Sequence, residues 1–461
     1  MAPLPAISSA DVFRVRRWDV VVLGTALPGL VAAARLGQRG LRVLVLEETP
    51  DGNTNDLLRE PFLLVGAEPN GLLGSCLREL GVPLIDQRRF VAEEVAVQVC
   101  DREARVDLGA GTHTAEEWSS WGLAPRDDAR DFVEALDAAA DRELQILMET
   151  SLATRATQRA REALSPKRNG AHRGWPSGLD RAPGGLRALL EAPLSALSNA
   201  GEVPLPSESR ARLLGGLLRG GVSIEGGEGQ LRALLRRRIQ SVYGEFRSIE
   251  TPFQLVAVQQ QPGLSVEGAR EIWSGRALVL NAPMAALASV AEAETAELFA
   301  APPIRWQRYG FHFQGPAGQL PECMADRVIW RGDDGGAPVA LRVFRPRRSD
   351  QAFDLVASVV ASAEDAEAEA RAEQRVSSAL RDLLPFSEEA LQRVPRTPLQ
   401  WDDDTLLAEP TQGSWPRSPQ LRLSSRPLVF HLDRASVASL GSDGDLWLGW
   451  RAGDAIADDL A

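Results

Sequence analysis

Short apolar runs, rather than long amphipathic stretches, dominate the start of the chain. Val20–Leu23 is a continuous run rich in β-branched residues, and Val43–Leu46 is a second. Runs of this length without alternation predict strands of a parallel sheet, buried on both faces. Between them Gly24 breaks the first run. Pro28–Gln38 then carries Pro at its start and Leu30, Val31, Ala34 and Leu36 at helical spacing, before Gly40. Proline in the first turn and glycine past the last turn are the expected ends of a helix. The pattern predicts a strand–turn–helix–strand unit of about 30 residues, the size of a dinucleotide-binding βαβ unit.

Further along, Asp127–Leu164 shows helical spacing at Phe132, Leu136, Leu144 and Leu147, and Leu186–Leu197, Ser207–Leu218 and Gln230–Ile239 also read as helices. Gln254–Gln261 and Gly268–Leu280 read as strands of a meander. Trp306–Gln314 and Ala340–Arg345 alternate apolar and polar, the mark of half-buried strands. Ala361–Leu384 reads as a charged helix with a solvated face. Leu446–Leu448 fits a last strand and Ala452–Leu460 a closing helix. Ser165–Gly185 and Trp401–Ser418 read as loops.

The βαβ unit carries the clearest chemistry. Gly24 permits a tight turn off the first strand, and Gly29 lets the helix pack closely on the sheet. The first turn of the helix, with Thr25 and Ala26 leading into it, offers free N–H groups and a partial positive charge to a diphosphate. Glu47, at the carboxyl end of the second strand, stands where an acid accepts hydrogen bonds from a ribose hydroxyl. One position departs from Gly-x-Gly-x-x-Gly: the middle glycine falls on Ala26, whose methyl group sits where the backbone would approach a diphosphate.

Composition narrows the function classes. A length of 461 residues predicts two domains. A net charge of −12 argues against nucleic acid as a partner. Cys76, Cys100 and Cys323 are too scattered for a disulfide framework, and His113, His172, His312 and His431 show no metal-ligand spacing. His312 is expected to be a hydrogen-bonded structural histidine, and Asp402–Asp404 surface charge. No run reaches transmembrane length and the N-terminus has no secretory pattern, so a cytoplasmic protein is expected. Lys167 is the only lysine.

Beyond these readings, five pieces in order resemble the flavin-dependent superfamily of phytoene desaturases, amine oxidases and Rab GDP-dissociation inhibitors. They are the βαβ unit itself, Phe62–Leu84, the Gly-Gly-x-Gly-x-Leu turn in Ile224–Leu235, Ser248–Val258 and Arg276–Ala285. The resemblance implies an α/β fold. A discontinuous Rossmann-type FAD/NAD(P)-binding domain would take residues 16–75, 215–285 and 430–461. A mixed α+β substrate or partner domain would take 76–214 and 286–429. It implies FAD as cofactor, with contacts at Gly24, Thr25, Ala26, Gly29, Glu47, Phe253 (whose strand backbone meets the adenine in relatives) and Gly449. Three departures stand beside it. Thr49–Asn55 has Gly52 alone where relatives carry a Gly-Gly-Arg loop. At the C-terminus Trp450 follows Gly449 where relatives have Gly-Asp and a loop, so that loop reads as nearly absent. Lys167 lies in a polar loop, away from the lysine of amine oxidases.

Two functions follow from the resemblance. One is an FAD-dependent oxidoreductase of the phytoene-desaturase or amine-oxidase type acting on an apolar small molecule, with no catalytic residue named. The other is a non-catalytic binding protein on the same scaffold, similar to a GDP-dissociation inhibitor, with a degenerate flavin site and a lipidated or other protein partner.

Overall fold

The computed structural model describes residues 14–48, 63–154, 184–201, 205–224, 227–249, 253–266, 271–290, 299, 305–332, 336–345, 352–386, 390–395, 406–407 and 419–461. The run Val20–Leu23 is the buried half of β1 (Arg14–Leu23); α1 (Leu27–Gln38) and β2 (Val43–Glu48) follow as the pattern predicts. Next come α2 (Leu72–Glu79), the single turn α3 (Leu84–Gln87), β3 (Phe90–Glu93), β4 (Val95–Cys100) and β5 (Arg105–Gly109). The helices α4 (Gly111–Ser120), α5 (Arg126–Glu149), α6 (Gly184–Leu197) and α7 (Ser207–Leu217) follow. The chain returns through β6 (Gly221–Ile224), α8 (Gly227–Ser241), β7 (Glu245–Ile249), β8 (Phe253–Val258), β9 (Gln261–Val266), β10 (Glu271–Leu280) and α9 (Met284–Val290). It then forms β11 (Trp306–Pro316), β12 (Arg327–Trp330), β13 (Val339–Phe344), β14 (Ala352–Ser362), α10 (Ala368–Leu383), β15 (Gln392–Val394) and β16 (Leu406–Leu407). β17 (Arg422–Ser425), β18 (Leu428–His431) and α11 (Ser442–Leu460) end it.

Two large sheets organise these elements. The first runs β17-β18-β10-β1-β2-β7, with the β8–β9 hairpin joined through β9 to β10. Its central pairs, β7 to β2, β2 to β1, β1 to β10 and β10 to β18, are all parallel. One face packs on α1, α8 and α11 through Val20, Val22, Leu30, Leu235 and Trp447; the other packs on the hairpin and α9 through Leu23, Leu46, Phe253 and Leu287. The second sheet runs β15-β11-β14-β13-β12-β4-β5, with β16 beside β11. Apolar residues of α4 to α7 gather with one of its faces and those of α10 with the other. A small antiparallel pair, β3 with β6, forms a separate two-stranded sheet.

Several boundaries differ from the sequence pattern. The helix read over Asp127–Leu164 ends at Glu149, and residues 155–164 lie outside the described ones. The strand read over Gln254–Gln261 is a hairpin turning at Gln259 and Gln260, with φ of 51° and 68°. Two positive φ values are what a two-residue type I′ turn requires, but glutamine gives no such signal. Ala361 belongs to β14, and the charged helix starts at Ala368.

The largest correction is at the C-terminus. Leu446–Leu448 is not a strand: it lies inside α11, which runs unbroken from Ser442 to Leu460. The last parallel strand is β18, eighteen residues earlier, ending at His431 beside Leu280 of β10. After β18, Asp433 caps a 3-10 helix, Arg434–Leu440, by accepting from Ala435 N, and α11 begins at Ser442. Gly449 is a packing residue: a Cβ there would meet the Pro28 carbonyl and lie 2.7 Å from Val31 Cβ. Its missing side chain is what allows α11 to lie against α1.

Gly449→Ala is expected to push the two helices apart and cost about 1–3 kcal/mol of stability, the usual range for overpacking. Gly318→Ala, where a Cβ meets nothing within 4 Å, is the control and is expected to stay within about 0.5 kcal/mol. Urea unfolding of both variants checks this.

Candidate functional site: the crevice at the carboxyl end of β1

In the parallel part of the first sheet, β2 lies on one side of β1 and β10 on the other. The winding therefore reverses at β1, and the crevice outside the strand ends at such a switch point is where open α/β sheets bind ligands. Gly24 turns the chain here with φ of +105°, its N–H bonded to Leu46 O at 2.9 Å. A side chain at Gly24 would meet the backbone of Ala282 at 2.9 Å. Ala26 caps α1 with no side-chain hydrogen bond, and no acid lies in the first turn. The helix terminus thus keeps its partial positive charge unanswered by any carboxylate of its own.

Asn281, at the end of β10, locks this turn. Its N–H donates to Leu23 O at 2.9 Å, and its Nδ2 donates to Ala26 O at 3.0 Å and Gly24 O at 3.3 Å. A Cβ on Gly29 would run into this side-chain amide. Gly29 is therefore set by Asn281 as well as by helix–sheet packing. Asn281 lies within Arg276–Ala285, one of the five pieces that carry the resemblance, but the pattern gave it no role.

Two arginines absent from the sequence reading complete the crevice. Arg232 and Arg236 sit one turn apart on one face of α8. Arg232, buried, donates from Nη1 to Thr25 O at 2.6 Å. Arg236 holds both oxygens of Glu47, Nη1 on Oε2 and Nη2 on Oε1, the latter at 3.1 Å. Its guanidinium also lies 4.2 Å from the Phe246 ring centroid, a cation–π contact. Their signal was faint: Arg232 lies three residues from Leu235, and Arg236 three from Ile239, both fully buried. That spacing puts the arginines beside the buried stripe and not on the solvated face.

Gly24, Thr25, Ala26, Gly29 and Glu47 come together at this crevice. Phe253 is wholly buried at the start of β8, packed in the cluster with Leu255, Leu264 and Phe299. Its side chain is core, so only its backbone is left for a ligand. Gly449 lies in the α1–α11 contact. Lys167, Asp402–Asp404 and Thr49–Asn55 lie outside the described residues.

The entry to α11 is tied by buried charge. Asp443 meets Arg212 of α7 at 2.6 Å. Asp445 takes Nε and Nη2 of Arg434 at 2.9 and 2.5 Å, and Asn199 Nδ2 at 3.3 Å. Burial pushes the Asp443 carboxyl above its ordinary value, while Arg212 pulls it down. Elsewhere, buried His312 bonds through Nε2 to Asp354 Oδ1 at 2.8 Å, as expected of a structural histidine. That bond comes first among the causes that hold the Asp354 carboxyl below its usual range. Burial pushes the thiols of Cys76 and Cys100 up to about 12, so both are protonated at neutral pH. Among the described residues no three His, Cys, Asp or Glu side chains gather as for a metal ion, and no helix is long and apolar enough to cross a membrane.

No family model matches the chain, and no curated protein does. Solved structures do. An oxidoreductase from Methanosarcina mazei aligns with a TM-score of 0.58 at 13% identity, covering 94% of this chain and 99% of its own. A triple mutant of putrescine oxidase aligns at 0.56 and 14%, covering 96% and 100%. Cyclohexylamine oxidase from Brevibacterium oxydans aligns at 0.52 and 15%, covering 96% and 99%. The chain shares its mixed α/β fold with these solved structures.

Arg212→Met leaves Asp443 buried without its partner and is expected to cost about 3–5 kcal/mol, whereas the double change with Asp443→Leu recovers most of it. Denaturant midpoints of the two variants decide. In the native protein, Ellman's reagent is expected to label exposed Cys323 and to reach buried Cys76 and Cys100 only after unfolding; prompt labelling of all three would contradict the burial described.

Proposed function

We propose that the chain is an FAD-dependent oxidoreductase acting on an apolar small molecule. The observation that carries this reading is the uncapped, acid-free start of α1 at the switch point, with Glu47 at the adjoining strand end. The residues present suit the cofactor's diphosphate. The backbone of Gly24–Ala26 and the first turn of α1 would hold it, with the buried Arg232 guanidinium adding positive charge beside Thr25. Glu47 would accept from the adenosine ribose. Hydride transfer to the isoalloxazine ring is the chemistry that the flavin supplies when bound. Because residues 432–441 separate β18 from α11, the near-absence of a C-terminal loop no longer stands against the reading.

A second reading, a non-catalytic binding protein with a lipidated or other protein partner, is favoured by the methyl of Ala26 and by the engagement of Glu47 with Arg236. The near-ultraviolet and visible absorbance of purified protein, before and after incubation with FAD and gel filtration, separates the two. Flavin bands that travel with the protein at about one per chain are expected. A protein that stays colourless after reconstitution overturns the oxidoreductase and leaves the binding protein.

A further inference from the structure

We propose that Arg236 is an internal competitor for the adenosine ribose: its guanidinium occupies the carboxylate that the ribose would use, and FAD must displace it. This rests on the oxidoreductase reading and adds a determinant of affinity to it. Glu47 is four-fifths buried, and both of its oxygens are engaged by one guanidinium fork. A ribose diol presents two hydroxyls to the same two oxygens, one lone pair of each already taken by the fork, so the two ligands compete at the strand end.

Arg236 is also held from below. Phe246, in β7 next to β2, carries the guanidinium on its ring. Arg236 therefore loses two contacts when it withdraws. Arg232, one turn earlier, reaches a backbone carbonyl of the turn and leaves the carboxylate alone. The competition thus falls on the ribose end, while the diphosphate end keeps its own cation.

The test is the affinity of the full chain for FAD, ADP-ribose and FMN, measured by fluorescence quenching or calorimetry. Wild type, Arg236→Met, Arg236→Lys and Glu47→Gln are compared. Methionine keeps an apolar stem over Phe246 but removes the fork. Arg236→Met is expected to bind FAD and ADP-ribose about tenfold more tightly or better, because charge-assisted hydrogen bonds to Glu47 are released. FMN, which has no adenosine ribose, is expected to bind both proteins alike, a split that a general loosening of the fold would not give. Arg236→Lys, a point charge without a fork, is expected to fall between and serves if the methionine variant does not fold. Glu47→Gln is expected to give no gain.

Tight FAD binding that is the same in wild type, Arg236→Met and Arg236→Lys overturns the competition and leaves the oxidoreductase standing. Weak binding by wild type with a gain confined to the adenosine-containing ligands supports it. Failure of every folded variant to bind any of the three ligands overturns both.

Discussion

The pairing of β1 with β10 is the constraint on which the rest of the molecule depends. Nine Cα partners in parallel register join residues 14–23 to residues 271–280, across some two hundred and fifty positions of chain. Everything at the crevice is referred to that ladder. It places Asn281 against the Gly24 turn, which fixes where α1 begins and why Gly29 has no side chain. It also provides the outer edge on which β18 pairs, and β18 aims the chain into α11 across α1. The strand ends that matter chemically are next to one another only because this ladder is in register.

Around that ladder, charge specifies position more than it adds stability. Arg212–Asp443 and Arg434–Asp445 lie where the chain enters α11. A buried pair costs much of its Coulomb gain in desolvation, so its net contribution is small, while an unmatched member is costly. The Arg212–Asp443 pair therefore disfavours dockings of α7 against α11 that would separate the two charges. Arg236 and Glu47, paired at the end of β2, are less buried.

The sequence showed the central unit because β1 and β2 are buried on both faces and α1 lies between turn-forming glycines. It misplaced the last strand for an equally physical reason. α11 is buried almost all round, from Asp443 through Trp450, so it has no polar face to give a helical period. A three-residue apolar run inside it cannot be told from a strand by pattern alone. β18 carries a histidine and follows a proline, and its Val and Phe are too few to stand out. Arg232 and Arg236 were hidden differently. On a helix with several arginines, the two that turn inward look like the ones that face water. Only Thr25 and Glu47, in separate segments, show which are which.

The first sheet takes its strands from both ends of the chain. While the protein is being synthesised, β1, α1 and β2 leave the ribosome early, but α1 keeps a bare apolar face until α11 arrives, and β1 an unpaired edge until β10 does. Until then the first βαβ unit is an unfinished layer whose apolar residues lack their partners. By the same reasoning a fragment that stops after β18 would hold every strand of the crevice and still leave the outer face of α1 uncovered.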